Sequence, residues 1–300
     1  MSGSTQTAPV PAPSGIAAYL SLVKFSHSVF AMPFALMGAW LAARGVPAFE
    51  RLLWIVVALV AARTAAMGFN RLIDRDHDAR NPRTAQREIP AGVLSVGQVR
   101  LLVLLSSVVF CGAAWALSPL CGWLSAPVLG CLLGYSYFKR FSASAHLFLG
   151  FCLGLAPLGA WLAVRGDFSG DWWQAVILAG VVTTWVAGFD LIYACQDADF
   201  DRDAGLHSVP ARFGVAFALG LSTLLHVVTV ALLALLLGRA DLGWIFGSAV
   251  VVVAGLLVWE HRIVRPDDLS RVDLAFFTLN GWVGLGLLAG LVLDLALLSG

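Results

Sequence analysis

Charged residues are scarce in this chain of 300 residues: Asp, Glu, Lys and Arg make up 12% of it. That is about half the share of a typical soluble domain. Disorder needs high charge and low hydrophobicity, so it is excluded, and an ordinary water-soluble enzyme is disfavoured. A net charge of +1 gives no basic field to draw the chain to nucleic acid. Cysteines are few, odd in number and dispersed (Cys111, Cys121, Cys131, Cys152, Cys195). They offer neither a disulfide framework nor clustered zinc ligands, and read as small apolar packing residues. No segment alternates with period two, which argues against a β-barrel. The opening stretch MSGSTQTAPVPAPSG lacks the basic start and apolar core of a secretory signal. Residues 1–15 are expected to be a flexible tail, and 16–300 a single domain.

What is abundant is apolar surface: 59% of residues are hydrophobic and the mean hydropathy is +0.85. A membrane-spanning helix needs about 20 mostly apolar residues. Nine segments qualify, near 17–44, 51–72, 95–116, 119–137, 146–164, 172–194, 213–237, 242–259 and 274–297. The expected fold is therefore an all-α integral membrane protein of nine transmembrane helices. Trp123, Trp172, Trp173, Trp244 and Trp259 fall near segment ends, as interfacial anchors do. Thirteen of the nineteen Lys and Arg residues follow the even-numbered segments, among them Arg71, Arg75, Arg83, Arg87, Lys139, Arg140 and Arg212. Positive charge accumulates on the cytoplasmic side. This places those loops and the N-terminus inside, and the protein in the cytoplasmic (inner) membrane.

The acidic residues are also concentrated. Asp74, Asp76, Asp78 and Glu88 follow segment 2, and Asp197, Asp199, Asp201 and Asp203 follow segment 6. The first window reads Asn70-x3-Asp74-x3-Asp78, and the second Tyr193-x3-Asp197-x3-Asp201. Four helices separate them, on the same expected side, as a duplication would give. Residues i and i+4 share a helix face, so Asn70, Asp74 and Asp78 form one oxygen-bearing stripe, and Asp197 with Asp201 another. Asp76 and Asp199 point elsewhere. Two facing carboxylate stripes repel unless a cation lies between them. Hard oxygen ligands on sparse helical positions suit Mg²⁺, which keeps waters and accepts substrate phosphates. Arg71, Arg83, Arg87, Lys139, Arg140 and Arg212 supply the counter-charge for phosphate oxygens, although basic loops also serve simply to orient a membrane protein.

Ionisable residues within the bilayer are costly and mark function. Lys24, Arg63 and Asp190 fall in segments 1, 2 and 6. Arg63 lies seven residues before Asn70, and Asp190 seven before Asp197, so each stripe has a charge two turns beneath it. An Arg63–Asp190 ion pair is the structural alternative. His27 and His146 are weaker signals, as a lone helical histidine is more often a packed core residue. Tyr135, Tyr137 and Tyr193 lie near the loops, where aromatic faces can stabilise a cation.

Three segments carry a family resemblance: NRLIDRDHDARNPRTAQREIPAG (70–92), YSYFKRF (135–141) and YACQDADFDRDAGLHSVPARFG (193–214). The first and last resemble the two aspartate-rich motifs of the UbiA superfamily of intramembrane prenyltransferases. The middle one resembles that family's tyrosine-and-lysine segment after helix 4. The resemblance implies nine helices around a central cavity, with loops 2–3 and 6–7 capping its cytoplasmic mouth. It implies transfer of a polyprenyl group from polyprenyl diphosphate to a lipophilic acceptor, here an aromatic acid in respiratory quinone biosynthesis. It assigns Mg²⁺–diphosphate to Asn70, Asp74, Asp78, Asp197 and Asp201, and phosphate oxygens to Lys139, Arg140 and Arg71. Tyr135 and Tyr193 line the substrate path, while Arg63, Lys24 and Asp190 lie deeper, near the acceptor or the diphosphate.

One departure bears on the acceptor. Family members acting on 4-hydroxybenzoate typically carry Asp after the tyrosine of the second motif, where this chain has Ala194. The string is closer to a sister group, some of whose members act on 1,4-dihydroxy-6-naphthoate, in the route to menaquinone rather than ubiquinone. Two readings from other classes are weaker. A cation or anion transporter would favour inverted repeats, whereas segments 2 and 6 run the same way. Prenyl transfer to haem within the same superfamily is nearer in kind, and RTAQREIPAG does not separate it. No protein partner is legible.

Overall fold

The computed structural model describes residues 15–23 and 28–298; Lys24, His27 and most of the expected tail lie outside them. Every regular element among the described residues is helical. Eight helices are long and apolar enough to cross a membrane, and they match the last eight expected segments. The first expected segment is described as two helices, α1 (Ile16–Leu22) and α2 (Ser28–Ala43). The rest of the bundle is α3 (Phe49–Arg80), α4 (Val96–Leu117), α5 (Pro119–Phe138), α6 (Ala145–Arg165), α7 (Trp173–Ala194), α10 (Val215–Arg239), α11 (Trp244–Ile263) and α12 (Asn280–Leu298). Two short helices, α8 (Ala198–Asp203) and α9 (Val209–Phe213), connect α7 to α10.

Local sequence explains the helix boundaries. Ser95 and Gln98 form a reciprocal capping box at the start of α4, with Gln98 N–H donating to Ser95 Oγ at 3.2 Å and Ser95 N–H to Gln98 Oε1 at 2.8 Å. Two of the helix's orphan donors are satisfied this way. Ser118 caps α5 ahead of Pro119, whose missing N–H costs nothing at a first helical position. Gly166 ends α6 with φ of 83°, a left-handed conformation that glycine adopts without strain. Before α12, residues Leu274–Leu279 widen into a π-helical turn.

Apolar burial alone does not drive helices together in lipid, so close backbone packing carries more of the stability. α6 shows how. A Cβ added to Gly150 would lie 2.2 Å from the carbonyl oxygen of Thr183, and one on Gly154 would lie 2.7 Å from that of Ala179. These two glycines let α6 and α7 run almost backbone to backbone. Around α7 the largest core cluster gathers Phe34, Met37, Trp161, Trp185, Phe246 and Leu287, all buried. Phe34 and Trp185 rings meet at 4.9 Å. Helix α7 is thus the central post of the bundle, and α3 packs on α4 and α5 to form the opposite wall.

The segment between α3 and α4 folds over the Arg-rich end of the bundle. Asn81 Oδ1 accepts from Arg83 N–H at 2.9 Å, an Asx turn that reverses the chain after α3. Thr84 Oγ1 donates to the Asp78 carbonyl at 3.1 Å. Ser21 of α1 donates to Glu88 Oε1 at 2.6 Å, so α1 clasps this segment from outside.

Candidate active site

The long helix α3 continues past its apolar stretch into Asn70, Asp74, His77 and Asp78. Asn70, Asp74 and Asp78 line one cavity of about 220 Å³, as the i, i+4 spacing requires. Asp74 and Asp78 are buried. Asn70 Nδ2 donates to Asp74 Oδ2 at 3.0 Å. Lys139 Nζ, from the end of α5, lies 3.0 Å from that same oxygen. Arg140 Nη2 lies 3.6 Å from Asp74 Oδ1 and donates to the Ile73 carbonyl at 2.7 Å. Arg87 Nη1 donates to Asp78 Oδ1 at 2.7 Å.

The second acidic window is built differently from the sequence expectation of one helical stripe. Residues Cys195–Asp197 tighten into a 3₁₀ turn between α7 and α8, within a helical run that continues from Trp173 to Asp203. Asp197 and Asp201 still line the same cavity as the first stripe. Asp197 Oδ1 accepts from Asn81 Nδ2 at 3.1 Å and from Arg83 Nε at 2.9 Å, while Arg83 Nη2 bonds its second oxygen. Arg83 Nη1 also donates to Tyr193 Oη at 2.7 Å, and its guanidinium sits 5.0 Å from that ring's centre. Burial works against the Arg83 charge, but the hydrogen bonds and charge of Asp197, with Tyr193, outweigh it and raise the pKa. Asp76 and Asp199 face solvent, as expected.

These donors fit a hard cation. Asp74 Oδ1 and Asp78 Oδ2 are buried without a hydrogen-bond partner, and the whole donor set is oxygen. Among the described residues, no three His, Cys, Asp or Glu side chains converge tightly enough to hold an ion by themselves.

Beneath the polar cavity lies a second, of about 440 Å³, whose walls are largely apolar. Tyr135, Leu149 and Asp190 line both cavities and so mark the throat between them. Arg63 lines the apolar chamber, two turns below Asn70. Asp190 pairs with His146 rather than standing alone: His146 Nδ1 lies 2.7 Å from Asp190 Oδ2. Tyr193 lines the polar cavity, its ring 4.3 Å from that of Phe276, which lines the chamber. Arg71 lines neither cavity but lies beside the site, close enough to feel the charges of Asp78, Arg87 and Glu88. One residue on from Asn70, it is rotated about 100° around the helix and is buried.

Several lining residues carried little or no signal in the sequence. Asn81, Thr84 and Ser136 line the polar cavity but are common loop or helix residues. His146 was legible only as a lone helical histidine. The loop before α9 is tied down by His207 N–H, which donates to the Lys139 carbonyl at 2.7 Å. This bond joins the second acidic window to the end of α5.

A helical membrane bundle with an acidic and basic mouth opening into an apolar chamber defines an intramembrane prenyltransferase. The chain belongs to the UbiA prenyltransferase family, whose sequence profile matches residues 31–282. It is 30% identical over 96% of its length to the 4-hydroxybenzoate octaprenyltransferase of Aromatoleum aromaticum, of which 97% is covered. The apo structure of a UbiA homolog from Aeropyrum pernix K1 superposes with a TM-score of 0.82 at 33% identity, covering 89% of this chain and 98% of that one. A UbiA homolog from Archaeoglobus fulgidus, solved bound to DMAPP and Mg²⁺, shares the fold at 17% identity, with a TM-score of 0.69 and coverage of 94% and 100%.

Proposed function

We propose that this protein transfers a polyprenyl group from polyprenyl diphosphate to the ring of 4-hydroxybenzoate, with Mg²⁺, in ubiquinone biosynthesis at the cytoplasmic face of the inner membrane. The observation that carries this reading is the throat at Tyr135, Leu149 and Asp190, where a polar cavity meets an apolar chamber that also contains Arg63. A diphosphate with a long apolar tail and an aromatic acid need those two environments side by side. The name of the Aromatoleum relative supports the acceptor. The first expected segment would complete nine spans, and the segments 81–95 and 204–214 would cap the mouth.

Asn70, Asp74, Asp78, Asp197 and Asp201 would hold Mg²⁺, which when bound would supply positive charge to offset that of the leaving diphosphate. Lys139, Arg83 and Arg87 can turn from their carboxylate partners to phosphate oxygens, and Arg140 is close enough to replace Lys139 at Asp74. As the allylic C–O bond breaks, the tyrosine rings of Tyr135 and Tyr193 face the cation-like carbon. The apolar chamber holds the prenyl tail and keeps water from quenching that carbon. Arg63 pairs with the acceptor's carboxylate. Asp190, at the throat, takes the proton that the acceptor loses.

A second acceptor is favoured by Ala194, which lines the polar cavity where a family carboxylate would stand. The bulkier 1,4-dihydroxy-6-naphthoate, and a role in menaquinone formation, is the reading it supports. Membranes containing the protein, labelled polyprenyl diphosphate, Mg²⁺ and each acid in turn decide the matter. Product with 4-hydroxybenzoate supports the first reading, and product with the naphthoate alone supports the second. Product with neither overturns both.

A further inference from the structure

We propose that His146 is a positioning residue for the acceptor's proton, acting through Asp190. The inference rests on the reading of Asp190 as the group that takes that proton. Helix α6 brings His146 to α7 through Gly150, whose missing side chain lets it sit against the Thr183 carbonyl. His146 is one turn before Gly150, and Asp190 two turns beyond Thr183, so the glycine contact sets the approach of the pair.

The imidazole has a defined orientation. Val209 N–H points at His146 Nε2 at 3.5 Å, which makes Nε2 the acceptor end of the ring. The ring proton then belongs on Nδ1, directed at Asp190 Oδ2 at 2.7 Å. His146 is itself 7% exposed and lines the polar cavity, while Asp190 lines both cavities. The histidine thereby holds Oδ2 of a carboxylate that borders both cavities at the throat. Without this bond the carboxylate is free to rotate toward Arg63 or toward the basic mouth.

The step balances without further reagents. The allylic C–O bond breaks with its electron pair leaving on the diphosphate. A ring carbon of a hydroxyaryl acceptor bonds to the freed carbon as the hydroxyl proton passes to Asp190. The resulting dienone loses the hydrogen at the attacked carbon and regains a hydroxyl proton, so one proton leaves overall, through the polar cavity. The arrangement selects an acceptor that carries a hydroxyl on the attacked ring.

The test compares wild type with His146→Asn, His146→Leu and His146→Ala, in membranes supplied with polyprenyl diphosphate and Mg²⁺. Asn places an N–H donor near the position of Nδ1, and Leu fills the same space without one. Two acceptors are used, 4-hydroxybenzoate and its more acidic 3-fluoro analogue. Leu and Ala are expected to lower kcat on the order of 10- to 100-fold, with KM for the diphosphate unchanged, and Asn to recover most of it. The loss is expected to be smaller with the fluoro acceptor, whose hydroxyl needs less help. Equal kcat in all four proteins overturns the proposal. So does a loss that is the same for both acceptors and unrescued by Asn, which marks a packing role. If Ala does not accumulate folded, the Asn-to-Leu comparison decides alone. Wild type inactive with hydroxyaryl acids overturns the functional reading, and this proposal with it.

Discussion

Lys139 Nζ, just past the end of α5, lies 3.0 Å from Asp74 Oδ2 of α3, and Asp74 is 2% exposed. Together with Arg87 on Asp78 and Arg83 on Asp197, this contact means that each acidic stripe meets its counter-charge inside the protein. Lys139→Ala removes a charge-assisted phosphate donor of about 1.5–3 kcal/mol. KM for the polyprenyl diphosphate is expected to rise about 10-fold or more, with KM for the acceptor unchanged, in steady-state assays on membranes.

Asp74→Ala is a harsher change. It removes a buried oxygen donor and strands Lys139 and Arg140. Turnover is expected to fall on the order of 10²–10³-fold. Chelation of divalent ions should abolish wild-type activity, and Mg²⁺ should restore it. Product that survives both chelation and Asp74→Ala would show that the carboxylate stripes do not hold a catalytic cation.

On the proposed function, Arg63 is expected to distinguish the two substrates. It lines the apolar chamber but not the polar cavity, so Arg63→Ala is expected to raise KM for the aromatic acid about 10-fold. Diphosphate binding should stay as in wild type. Isothermal titration with each ligand checks this, and unchanged affinity for the acid would remove Arg63 from the acceptor site.

Gly150 tests the packing that underlies the site. Gly150→Ala puts a methyl where the Thr183 carbonyl already stands, and should cost roughly 1–3 kcal/mol. Gly134→Ala, on α5 with open space around it, is the matched control and should be neutral or slightly stabilising. Thermal unfolding in detergent reads both. Gly150→Ala should also weaken turnover beyond its effect on stability, because it forces α6 away from Asp190.

The sequence was a good guide wherever one helix alone determines the answer. The apolar runs marked the last eight spans, and the i, i+4 spacing placed Asn70, Asp74 and Asp78 on one wall of one cavity. It was a poor guide wherever two helices must meet. The partner of Asp190 was undetermined because helix rotation is set by contacts such as Gly150 on Thr183, which are distant in sequence. The same limit made His146 look ordinary. The tightened turn at Cys195–Asp197 escaped for another reason: a 3₁₀ turn and an α-helix differ by too little in composition to be told apart.

The internal ion pairs carry a consequence for the catalytic cycle. On the proposed function, a diphosphate entering this mouth would exchange partners rather than fill a charged void: Arg83, Arg87 and Lys139 would release their carboxylates to grip it. The same exchange runs in reverse when the product leaves, since Asp197, Asp78 and Asp74 stand ready to reclaim the cations. Tight grip and quick release are then set by one competition. On that reading, strengthening the site's hold on its carboxylates would speed departure at the expense of capture, and throughput would depend on how evenly the two sets of anions are matched.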